Sequence, residues 1–125
     1  MMKLTNNMFT IARLDEARHA ADIRLNADHL IYRAHFPGQP ITPGVCIIKI
    51  ILELAERFLT TPLRLQQVKN LKFIQPLSPV HHPEATVLFD HLDLTDGTVK
   101  LRGSVIHDEI VFTKFSLIAR LDAIV

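Results

Sequence analysis

Between His35 and Val45 the chain reads His35-Phe36-Pro37-Gly38-Gln39-Pro40-Ile41-Thr42-Pro43-Gly44-Val45, one imidazole among three prolines and two glycines. Proline fixes φ and removes a backbone donor, and glycine lets other atoms approach the main chain closely. The segment is therefore a stiff, shaped loop rather than a linker. An imidazole takes up and returns protons near neutral pH, so His35 is a candidate general base. The plainer alternative is a histidine hydrogen-bonded within its own loop. Thr42-Pro43 signals a helix start, with Thr42 as N-cap and Pro43 in the first helical position. The N–H groups of Gly44 and Val45 would then lack partners inside the helix, and they could hold an oxygen that gains negative charge. A base beside such donors suits acid–base chemistry on a carbonyl compound.

The helix that follows, expected from about Pro43 to Phe58 or Leu59, is apolar apart from Lys49, Glu53, Glu56 and Arg57. These fall at i, i+4, i+7 and i+8 and form one narrow stripe. Glu53 is the candidate general acid. Read plainly, Lys49 and Glu53 are a solvated ion pair one turn apart. Lys49 itself is a further option as donor. Cys46, the single cysteine, reads as a small apolar residue before it reads as a nucleophile. His81 and His82 stand in a proline-flanked loop near Glu84 without the convergent ligands of a metal site. His19, His29, His91 and His107 share no recognisable spacing.

The elements that must position these groups are legible in the periodicity. Phe9 to Leu14 and Ala20 to Leu25 are short strand candidates, and residues 26–34 read as an irregular approach to the loop. Thr60-Thr61-Pro62 stops the helix, because proline disfavours helix in the residue before it. The period then changes to two. Strands are expected over Leu65 to Ile74, Ala85 to Leu92, Val99 to Ile106 and Ile110 to Leu121. Asp96-Gly97 and His107-Asp108-Glu109 make the hairpin turns. The order is β-β-α-β-β-β-β, an α+β chain whose antiparallel sheet must wrap the helix.

A length of 125 residues at 48% hydrophobic content predicts a single domain over residues 1–125. Fourteen Lys and Arg against 13 acids leave a formal charge of +1, which argues against a nucleic-acid partner. One cysteine excludes a disulfide framework and points to a reducing compartment. The start lacks a signal peptide's charged region followed by a long apolar run, and Lys49 and Glu53 interrupt the longest apolar stretch. A cytoplasmic protein without a membrane span is expected.

The run His35-Phe36-Pro37-Gly38-x-Pro40-x-x-Pro43-Gly44-Val45 resembles the signature of the 3-hydroxyacyl-[acyl carrier protein] dehydratases of bacterial fatty-acid synthesis. Val68-Lys69-Asn70-Leu71-Lys72-Phe73-Ile74-Gln75-Pro76-Leu77-Ser78-Pro79 resembles the family's strand after the helix. The resemblance covers roughly residues 8 to 121. It implies the hot-dog fold and dehydration of a 3-hydroxyacyl thioester, borne by acyl carrier protein, to a trans-2-enoyl thioester in fatty-acid or related lipid or polyene synthesis. It implies no metal or organic cofactor. It also implies a homodimer or higher homo-oligomer, in which the histidine of one subunit meets the helix carboxylate of the other. His35 takes the family's base position, and Gly44 and Val45 its oxyanion donors. The acyl chain would run along Ile47, Ile48, Ile51 and Leu52. Two positions depart from the pattern. Ala34 replaces the glycine before the histidine. Lys49 stands five residues after Gly44, where the family has its catalytic carboxylate, and Glu53 is the nearest carboxylate, one turn later. A hot-dog acyl thioesterase, with Glu53 serving water attack, is the first rival. A non-catalytic acyl-thioester binding subunit is the second.

Overall fold

The computed structural model describes residues 3–122. Strands β1 (Phe9–Asp15) and β2 (Ala20–Leu25) lead into a short helix α1 (Ile31–Ala34) and the long helix α2 (Gly44–Leu59). Strands β3 (Leu63–Phe73), β4 (Glu84–Thr95), β5 (Thr98–His107) and β6 (Ile110–Leu121) complete the chain. All six strands join one antiparallel sheet in the order β1-β2-β4-β5-β6-β3. This is the expected α+β hot-dog arrangement. The one element the sequence reading missed is α1, which occupies the end of the segment read as irregular.

Alternation builds the sheet. β5 buries Val99, Leu101, Gly103 and Val105 and turns the residues between them outward, and β6 does the same with Thr113, Phe115, Leu117 and Ala119. Asp96 and Gly97 both take positive φ (52° and 75°), the conformation a tight primed hairpin turn requires. Against this face α2 packs Ile47, Ile50, Ile51, Leu54 and Ala55, all 4% exposed or less. The helix ends at Thr60, whose left-handed conformation (φ 54°) lets its N–H donate to the Glu56 carbonyl. Glu56 also accepts from Leu63 N–H through its side chain (2.7 Å), so the helix exit and the start of β3 are tied together.

Candidate functional site

Helix α1 and the first turn of α2 bracket the Pro/Gly loop. Main-chain bonds shape it from within. His35 N–H donates to Ile31 C=O (3.0 Å), Ile41 N–H donates to His35 C=O (2.8 Å), and Phe36 and Gln39 exchange a pair of bonds (3.0 and 2.9 Å). Thr42 N–H reaches across to Leu77 C=O (2.8 Å) and fastens the loop to the segment after β3. The half-buried His35 ring stacks on Phe36 at 4.1 Å. Its Nδ1 lies 3.2 Å from the Ile41 carbonyl. A carbonyl only accepts, so Nδ1 carries the proton and Nε2 keeps its lone pair for a substrate. The loop thereby sets both the orientation and the tautomer of a base.

Thr42 is not the N-cap. Pro43 occupies that position and no side-chain cap bond forms. The Thr42 hydroxyl instead shares a 2.9 Å hydrogen bond with the Tyr32 hydroxyl, and both side chains are buried. Burial pushes the Tyr32 phenol up to about 12; the Thr42 hydrogen bond acts against this, and the nearby Cys46 adds to it. Periodicity offered no signal for this pair, because Tyr32 lies in a four-residue helix. Leaving the cap without a side chain keeps the mouth of α2 open. Cys46 and Ile47 N–H both turn back to Pro43 C=O (3.0 and 3.1 Å). Gly44 and Val45 precede them at the helix mouth, where no carbonyl lies a turn behind to receive their N–H groups. Val45 is 59% exposed. A Cβ on Gly44 would lie 2.6 Å from the Phe73 ring. The glycine therefore lets an aromatic side chain from the end of β3 rest directly on the helix mouth, a contact no local pattern encodes.

Glu53 is not on a solvated stripe. It is 3% exposed, and it accepts from Leu4 N–H (2.8 Å), Thr5 N–H (2.9 Å) and the Thr5 hydroxyl (2.6 Å). No ion pair with Lys49 forms among the described residues. The stripe expectation fails because the segment before β1 folds back over this stretch of α2, and its unpaired N–H groups need an acceptor. The same chain does not bring Glu53 into contact with His35. Lys49 is half-buried. Cys46 is buried, which pushes its thiol up and favours the apolar over the nucleophilic reading. Ile47, Ile51 and Leu52 belong to the core, and Ile48 is partly buried against it. His81 borders a cavity of about 380 Å³ between Pro40-Ile41 of the loop and Pro76, Ser78 and Val80 opposite. Among the described residues no group of three or more His, Cys, Asp and Glu could hold a metal ion. No described helix is long and apolar enough to cross a membrane.

Comparisons with known proteins agree with this arrangement. The family model of ApeI-like proteins, described as ApeI dehydratase, matches residues 11–108. A FabZ 3-hydroxyacyl-[acyl-carrier-protein] dehydratase of Anaeromyxobacter dehalogenans is 28% identical over 75 residues, 59% of this chain and 48% of that protein. The match thus spans about half the length of that curated relative. Among solved structures, the dehydratase heterocomplex ApeI:P from Xenorhabdus doucetiae superposes with a TM-score of 0.61 at 23% identity, over 88% of this chain and 96% of that one. A putative thioesterase from Ralstonia eutropha superposes at 0.62 with 11% identity, over 94% and 88%. These two structures share the fold.

Proposed function

Since the chain belongs to the ApeI-like dehydratase family, we propose that it dehydrates a 3-hydroxyacyl thioester, borne by an acyl carrier protein, to the trans-2-enoyl thioester. The single observation that carries this reading is the His35 imidazole, aimed by the Ile41 carbonyl within the loop that leads into the uncapped start of α2. Nε2 removes a proton from C2. The thioester oxygen gains charge as the enolate forms, and Gly44 and Val45 N–H stabilise it; one such donor is worth about 3–4 kcal/mol of barrier. The C3 hydroxyl leaves as water once protonated. Glu53 can supply that proton only by giving up one of its three donors to the substrate. The geometry therefore favours a clamp role for Glu53, with the proton returned by the imidazolium of His35.

The reading includes a second hot-dog chain, in the simplest case a second copy. β3 is an eleven-residue sheet edge, and Val68 and Phe73 on it and Ile74 just past its end are each at least 42% exposed. A free edge of that length with apolar side chains needs covering. A cytoplasmic setting is part of the same proposal.

The test is turnover of a 3-hydroxyacyl thioester by purified protein. His35→Ala is expected to fold normally and lose at least about 100-fold in rate. Retention of more than about a tenth of the activity removes His35 as base. Release of free acid and thiol instead of an enoyl thioester assigns the thioesterase reading. Tight thioester binding without turnover assigns the binding-subunit reading.

A further inference from the structure

Thr113 on β6 is 0% exposed, and among the described residues its hydroxyl is the one buried side-chain polar atom without a hydrogen-bond partner. The other buried polar side chains are engaged. Thr42 shares a bond with Tyr32, Glu53 accepts from Leu4 and Thr5, and Ser78 Oγ accepts from Val80 and His81 N–H (3.3 and 3.4 Å). Valine has the shape of threonine and suits a strand at least as well, so packing does not account for an oxygen here. A buried hydroxyl without a partner costs stability, and native chains carry few of them.

Its position gives the hydroxyl a use. Thr113 shares the inward face of β6 with Phe115, Leu117 and Ala119. Phe73 on β3 stands directly across the ladder from it, and Val105 on β5 stands on its other side. The side chains of a directly opposed pair lie on one face, about 5 Å apart at Cβ. The Phe73 ring reaches Gly44, so Thr113 lies on the sheet floor below the first turn of α2. The residue before it ties in the Pro/Gly loop as well. Phe112 C=O accepts from Ile74 and Gln75 N–H (2.8 and 3.2 Å), and Leu77 C=O, a little further on, accepts from Thr42. The substrate's own groups select which of them would use this hydroxyl. In the reaction proposed above, Gly44 and Val45 N–H take the thioester oxygen and His35 takes the C2 proton. The C3 hydroxyl is left without a partner, because both Glu53 oxygens are occupied by Leu4 and Thr5. A threonine hydroxyl both donates and accepts, so it can serve a substrate hydroxyl in either sense.

We propose that Thr113 is a substrate-positioning residue whose hydroxyl hydrogen-bonds the C3 hydroxyl of the 3-hydroxyacyl chain, with the half-exposed Phe73 side chain turning aside to admit it. The inference rests on the dehydratase reading for the substrate class and adds the residue that recognises its hydroxyl. Thr113 keeps its own proton throughout. It holds the C3 oxygen, and the proton that leaves with that oxygen as water comes from the His35 imidazolium.

The experiment measures binding of 3-hydroxyhexanoyl and hexanoyl N-acetylcysteamine thioesters by calorimetry in the His35→Ala protein, where bound thioester is not consumed. The hydroxy compound should bind about tenfold more tightly than its deoxy analogue, the size of one buried hydrogen bond. Adding Thr113→Val should abolish this preference by weakening the hydroxy compound alone. The same substitution should raise the melting temperature by about 3 °C, because it removes a hydroxyl that has no partner in the fold. Thr113→Ser keeps the hydroxyl and should keep the preference. A threonine with a structural role gives the opposite pattern, a lower melting temperature or a lost fold in Thr113→Val, and either result overturns the proposal. So does a preference that survives Thr113→Val, one that is lost in Thr113→Ser, or one that is absent while Thr113 is in place. If the preference depends on Thr113 but the wild type forms no enoyl thioester from the hydroxy compound, the dehydratase reading fails and recognition of the hydroxyl by Thr113 stands.

Discussion

His35 owes its usefulness to one carbonyl. The Ile41 oxygen fixes the tautomer, and Ile41 is in turn held because Thr42, its neighbour, is bound on two sides, by Leu77 C=O through its N–H and by Tyr32 through its hydroxyl. The Tyr32 hydroxyl makes a prediction about pH. Its folded value, raised to about 12, lies above the ordinary 10.0. The unfolded chain therefore loses this proton first as pH rises, and stability falls through the window from 10 to 12. Below 10 this contribution is complete. Tyr32→Phe should flatten the stability profile across that window in denaturant titrations, and an unchanged slope would show that Tyr32 is not the group responsible. A second prediction concerns Gly44. Alanine is the better helix former by roughly 0.5–1 kcal/mol, but its Cβ would meet the Phe73 ring. Gly44→Ala should destabilise the wild type and become neutral or stabilising in a Phe73→Ala background. A double-mutant cycle reads this change of sign directly.

At the scale of elements, the C-terminal half of α2 carries two carboxylates, one turn apart, that bind main-chain N–H groups of other segments. Glu56 takes Leu63, where β3 begins, and Glu53 takes Leu4 and Thr5, ahead of β1. Bonds to a charged acceptor are worth about 1.5–3 kcal/mol, and leaving buried donors without a partner costs a similar amount. Glu53→Gln keeps the volume but removes the charge and turns one oxygen into a donor. It should lower stability by about 1–3 kcal/mol in thermal or denaturant unfolding, with kcat changed only a few-fold. A large loss of kcat at unchanged stability would reverse the assignment and make Glu53 the acid. Lys49→Glu would then test whether the family position also serves.

For the whole molecule, the sheet has two unequal edges. β1 is seven residues long with one register shift, whereas β3 is eleven residues long, with two shifts, and largely exposed. Association through β3 is expected, and light scattering should give at least twice the single-chain mass of 14.2 kDa. A mass of one chain at micromolar concentration would refute it. The loop, the helix mouth and Phe73 gather at one end of the sheet.

Much of this was determined by the sequence alone. Period-two alternation after Pro62, the Asp96-Gly97 turn and an apolar helix ending at Thr60-Thr61-Pro62 are local signals, each carried by residues adjacent in the chain. They specified the β-β-α-β-β-β-β order around one long helix, without α1, and the family resemblance of the Pro/Gly loop implied the hot-dog sheet. The Pro/Gly loop likewise marked His35, Gly44 and Val45, since its stiffness is a property of its own residues. Only the tertiary structure decided what Thr42, Glu53 and Phe73 do. Thr42 meets a tyrosine ten positions earlier, Glu53 meets the N–H groups of Leu4 and Thr5, and Phe73 meets Gly44 across 29 positions. Helical spacing alone placed Glu53 in a solvated stripe, because periodicity describes a face and does not say which other segment will cover it.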